Sequence, residues 1–99
     1  MILVTYKIQD GDQDYFEYSW FSTGTKQKYG AWMDKVLIEE VYGEAEQEGK
    51  TNKYFVRDWD TLIQVYSVQD ITEKELDVLD KFGVVNKWAW GYTGLEKKE

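Results

Sequence analysis

Apolar and polar residues alternate from the first positions of the chain. Ile2, Val4, Tyr6 and Ile8 fall on one side of an extended segment, with Leu3, Thr5, Lys7 and Gln9 on the other. A period of two is that of a half-buried strand. The polar run Asp10-Gly11-Asp12-Gln13-Asp14 interrupts it as a turn. Alternation resumes over residues 15–22, with Phe16, Tyr18 and Trp20 on one face and Tyr15, Glu17 and Ser19 on the other. A shared apolar face for Ile2, Val4, Tyr6, Ile8, Phe16, Tyr18 and Trp20 requires paired residues of equal parity, hence an odd loop. A slip of one residue would turn every side chain over. A loop at residues 10–12 keeps Asp10 from facing Asp14.

The period then changes. Over residues 25–42 the apolar positions Tyr29, Trp32, Met33, Val36, Leu37 and Val41 follow helical spacing, with Gly30 weakening the start and Gly43 ending it. Residues 44–52 read as a polar acidic loop. A short strand is expected at 53–57, a turn at Asp58-Trp59-Asp60, and a longer strand at 61–69 that is apolar on both faces and therefore interior. Thr72 and Glu75 have capping-box spacing, with Ile71 and Leu76 at the staple positions. They predict a helix over 73–82 with the apolar stripe Leu76, Leu79 and Phe82, stopped by Gly83. Residues 84–90 predict a last strand and 91–99 a frayed tail. The order ββα(β)βαβ describes an α+β domain spanning 1–99. Its mainly antiparallel sheet of four to five strands carries two helices on one face.

Composition narrows the chemistry. The chain has no His, no Cys and no Pro, with five Trp, eight Tyr and four Phe and a formal net charge of −7. Without Cys there is no disulfide, thiolate metal site or cysteine nucleophile. Without His, Ser19, Ser22 and Ser67 lack the usual activating base, and zinc coordination loses its usual ligands. No cofactor motif is present. The apolar residues 1–8 have neither a basic region before them nor a long apolar run after them, so neither a signal peptide nor a membrane span is expected, and the location is expected to be cytoplasmic. The acidity disfavours direct contact with nucleic acid or an anionic membrane and favours a protein partner with a basic surface.

Individual motifs carry less. Asp10, Asp12 and Asp14 have the spacing that opens a calcium loop, but Tyr15 and Phe21 stand where that loop needs its Gly and its bidentate Glu, so an acidic hairpin turn accounts for them. Asp58 and Asp60 flank Trp59 as a glycosidase pair would flank a sugar, yet turn chemistry explains both. Glu39, Glu40, Glu44, Glu46 and Glu48 form an acidic run that either solvates the surface or imitates a row of phosphates.

Core positions are expected for Phe16, Tyr18, Trp20, Trp32, Tyr66 and Phe82. Tyr15, Trp59, Trp88, Trp90 and Tyr92 have no evident core role and are the candidate contact aromatics, together with Glu39–Glu48. The expectation is a non-catalytic acidic protein-binding module. In size, charge and aromatic content alone it resembles the small inhibitors that phages and mobile elements direct against basic nucleic-acid enzymes such as restriction or CRISPR effectors. The alternatives are an accessory subunit or adaptor docking through Trp and Tyr, with a homodimer through the last strand, and a carbohydrate-binding module whose aromatics stack on sugars.

Overall fold

A computed structural model describes residues 1–22 and 24–88, the side chains of Lys87 and Trp88 excepted. The expected tail and the candidate residues Trp90 and Tyr92 lie outside the described residues. The elements follow the order β1 (Ile2–Asp10), β2 (Gln13–Phe21), α1 (Trp32–Tyr42), β3 (Ala45–Gln47), β4 (Tyr54–Val56), β5 (Thr61–Asp70), α2 (Glu73–Lys81) and β6 (Val85–Trp88). A single 3-10 turn, Arg57–Trp59, joins β4 to β5. The α+β class holds. Among the described residues the sheet has six strands, ordered β3-β4-β5-β1-β2-β6, rather than four to five.

The pairing is antiparallel except between β2 and β6. The path β5-α2-β6 therefore crosses over β1 and β2 and returns to the sheet parallel to its start. The additional strand, β3, lies in the segment that reads as polar loop. Only its Ala45 is buried, so three residues offered no period to detect.

The hairpin register departs from expectation. Ile2 pairs with Phe21, Val4 with Ser19, Tyr6 with Glu17 and Ile8 with Tyr15, so paired residues have opposite parity. The loop is the two residues Gly11 and Asp12. Gly11 has φ +61° and Asp12 has no positive φ, the arrangement of a type II′ turn whose twist suits a hairpin. Phe16, Tyr18 and Trp20 thus face away from Ile2, Val4, Tyr6 and Ile8.

This register is possible because the sheet is covered on both faces, not one. Met33, Leu37, Ile38 and Tyr42 of α1 pack on Ile2, Val4, Tyr6, Ile8 and Phe21, joined by Tyr54, Val56 and Ile63. On the opposite face Leu76 and Leu79 of α2 pack on Leu3, Trp20 and Ile71. Trp20 is therefore buried, but under α2.

Helix α1 begins at Trp32, later than the apolar spacing implies. Residues 25–29 form turns in which Thr25 and Lys26 carbonyls accept from the Lys28 and Tyr29 N–H groups. Ala31 at the N-cap provides no side-chain acceptor, and Gly30 disfavours helix before it. Helix α2 follows expectation: Thr72 Oγ1 accepts from the Glu75 N–H at 3.2 Å, and Glu75 Oε1 accepts from the Thr72 N–H at 2.9 Å.

Candidate functional site

The face bearing α2 is covered at one end only. Its open half begins where β1 and β2 approach their turn. Lys7 pairs with Phe16 and Thr5 with Tyr18. Gln9 pairs with Leu62, which pairs in turn with Phe55. Phe55 and Leu62 are half-buried, whereas Phe16 is 46% exposed and Tyr18 is also exposed.

Tyr66 joins them through a bulge. The β1–β5 register shifts between Thr5, opposite Ser67, and Tyr6, opposite Val65, leaving Tyr66 as the extra residue. A bulge re-aims a side chain. Here the ring meets that of Phe16 edge-on, with centroids 5.0 Å apart. Tyr66 stays 60% exposed. The sequence carries a trace of this: the buried or packed positions are Ile63 and Val65 but then Val68, a change of parity within one strand.

Beside these aromatics lies an open cleft of about 670 Å3, with Phe55 and Leu62 on its floor and Asp14, Glu48 and Asp60 among its walls. Asp60 reaches this position from a left-handed backbone, φ +51°. Lys7 is the basic residue opposite Phe16 on this face, while Arg57, after β4, is held by Glu46 of β3 at 3.2 Å with both side chains exposed. Among the described residues no group of acidic side chains is gathered so as to hold a metal ion. No described helix is long and apolar enough to cross a membrane.

The expected site residues are distributed differently. Trp59 is exposed on the α1 side, where its ring stands edge-on to Tyr42 at 5.6 Å. Tyr15 is half-buried against the main core, not free at the surface. The Glu39–Glu48 run divides. Glu39 Oε2 accepts from the Ala45 N–H at 3.1 Å and so ties α1 to β3. Glu40 is partly buried, and burial raises its carboxyl above the ordinary range. Glu44, Glu46 and Glu48 are exposed along the β3 edge, and of these Glu48 reaches the cleft. Trp88 lies in β6 opposite Phe21.

Five aromatics expected in the core are at the surface. Phe16 and Tyr66 belong to the open face. Phe82, the C-cap of α2, is 70% exposed, and Trp32 is exposed on the first turn of α1. Tyr18, also expected inside, is exposed as well. Tyr42 and Tyr54 take the core places instead.

Two phenols are bonded to carboxylates beneath α1. Tyr42 OH donates to Glu17 Oε1 at 2.7 Å, and Tyr29 OH donates to Asp34 Oδ1. Burial raises both phenols well above the ordinary value, and the carboxylates they meet raise them further. Burial also raises Asp34, against the lowering effect of the Tyr29 hydroxyl. These pairs tie α1 to the loop before it and to β2.

Comparison with protein-family models, with curated proteins and with solved structures finds no match. The functional reading therefore rests on the surface itself.

Proposed function

We propose that this protein is a non-catalytic acidic module that docks on a protein with a basic surface. Its most concrete form is a small inhibitor of the phage or mobile-element kind, occupying the nucleic-acid-binding surface of an enzyme such as a restriction or CRISPR effector. The observation that carries the reading is the pairing of exposed Phe16, Tyr18 and Tyr66 with the carboxylates of Asp14, Glu48 and Asp60 on one half of a sheet face. Clustered aromatics on an otherwise charged surface supply contact energy. The carboxylates supply steering toward cations and reject polyanions. The absence of His and Cys from the chain supports a role without bond-making chemistry.

Binding to purified basic nucleic-acid enzymes across a salt series tests this. Affinity is expected to fall steeply with salt, and Tyr66→Ala to weaken it roughly tenfold. Asp60→Lys is expected to slow association more than Glu44→Lys, because Asp60 shares the larger cleft with Asp14 and Glu48, whereas Glu44 lies beside the Glu46–Arg57 ion pair. Affinity indifferent to both salt and Tyr66→Ala sinks the reading.

A further inference from the structure

The two-residue loop makes Asp10 and Gln13 the hydrogen-bonded pair that closes the hairpin. Alternation along the ladder then turns the N–H and C=O groups of Asp14, Phe16 and Tyr18 away from β1. β6 meets that outer edge only from Tyr18 to Phe21. Among the described residues, no strand pairs with the edge of β2 over residues 13–17. Where β6 begins, the edge opens into a notch of about 320 Å3 lined by Phe16, Glu17, Tyr18, Gly83, Val84 and Asn86. An extended chain laid beside residues 13–17 would run through this notch in line with β6.

A second stretch of edge opens on β5, where β4 ends its pairing at Ile63. There Lys26, Tyr29 and Ala31 stand beside Val65 and Val68, and the Lys26 N–H bonds Asp70 Oδ1 at 2.8 Å. The loop before α1 thus already occupies that side, and the β2 edge is the accessible one.

Charge selects the occupant. Residues 10–17 carry Asp10, Asp12, Asp14 and Glu17 and no basic residue, and Lys7, opposite Phe16 on β1, is the one cation paired with this stretch, so the carboxylates outnumber it four to one. A second copy pairing at this edge would bring those carboxylates against their own kind, at a net charge of −7 per chain. Edge strands are commonly kept from self-pairing by such charges. A cationic chain meets the opposite situation.

Building on the basic-partner reading above, we infer that residues 13–17 of β2 form a strand-addition site for an extended, Lys- or Arg-bearing segment of the partner. Backbone hydrogen bonds to Asp14 and Phe16 hold the segment. Its alternate side chains fall beside Phe16 and Asp14 on one face and beside Glu17 on the other.

The test uses the full chain with two synthetic probes, an alternating Lys–Val peptide and an alternating Glu–Val peptide. Binding is followed by fluorescence anisotropy and by amide hydrogen exchange. The Lys–Val peptide is expected to bind, the Glu–Val peptide not, and the Asp14 and Phe16 amides to gain protection. Phe16→Pro deletes an outward N–H at a place where an edge strand accepts proline. It is expected to weaken binding roughly tenfold or more, and Phe16→Leu to weaken it less. If Phe16→Pro loses its far-UV circular dichroism, the exchange data on the unaltered chain decide.

Equal binding of the two peptides overturns the inference. So does protection of the Asp14 and Phe16 amides in the free protein, or in a dimer seen by sedimentation, because the edge is then already filled. Lys–Val binding without protection at Asp14 and Phe16 overturns strand addition but leaves the basic-partner reading standing. Failure to bind any basic protein removes that reading itself.

Discussion

Tyr6 is wholly buried beneath α1, and its hydroxyl meets no hydrogen-bond partner among the described residues. Its ring packs edge-on against Tyr42 at 5.4 Å, so the ring earns its place by packing alone. A buried hydroxyl without a partner costs about 1–3 kcal/mol. Tyr6→Phe is therefore expected to raise stability by about 1 kcal/mol, seen as a higher midpoint in thermal or urea unfolding. Asp34 provides the opposite kind of test. Burial holds its folded-state pKa above the unfolded value of 3.8. The folded protein then binds a proton more readily than the unfolded chain. Asp34 contributes stability that is complete below 3.8 and is lost as pH rises through the raised pKa. Urea midpoints of the parent should therefore decline over that interval for this reason, and Asp34→Asn should remove that part of the slope. An unchanged slope in the variant would show that Asp34 does not carry it.

Between the elements, register is the decisive quantity. Phe21 is fully buried and Phe16 nearly half exposed. Phe21→Ala is expected to cost about 3–5 kcal/mol and Phe16→Ala less than about 1 kcal/mol, measured by urea unfolding. The reverse ranking would restore the odd-loop hairpin. The sequence made α2 legible because its signals are local: Thr72, Glu75, Ile71 and Leu76 specify one end of one helix whatever surrounds them. It also showed the three long strands and the helical segment before Gly43. Register was not legible, because Phe16-Tyr18-Trp20 and Tyr15-Glu17-Ser19-Phe21 are both partly apolar. Choosing between them requires knowing that a helix covers each face. The bulge at Tyr66 and the three-residue β3 escaped for a related reason, since each is defined by its pairing partner. The proposed docking surface is affected in the same way. Its aromatics, Phe16, Tyr18 and Tyr66, were all assigned to the core, while its carboxylates came from turns that are acidic for local reasons as well.

Taken whole, the molecule is asymmetric in how its two faces are used. The α1 face holds the larger core and the phenol–carboxylate pairs, while the α2 face is closed at one end and open at the other. On the proposed function the same asymmetry would separate stability from recognition. Substitutions at Phe16, Tyr66 or Asp60 are expected to change binding while leaving the unfolding midpoint nearly unchanged. Those at Phe21 or Leu37 should do the reverse.

The order of the sheet also has a temporal side. β1, made before the other described strands, is flanked in the finished sheet by β2 and β5, so its second neighbour is made some sixty residues later. Until then β1 has a strand on one side only, although α1, made earlier than β5, is there to cover Ile2, Val4 and Tyr6. The crossover through α2 closes last, on a parallel contact only four residues long. Such distant pairings slow folding. A weakened β1–β5 contact such as Val4→Ala should retard refolding in stopped-flow measurements, whereas Leu79→Ala should chiefly hasten unfolding. A ribosome making this chain therefore carries a central strand with one open edge until β5 is synthesised.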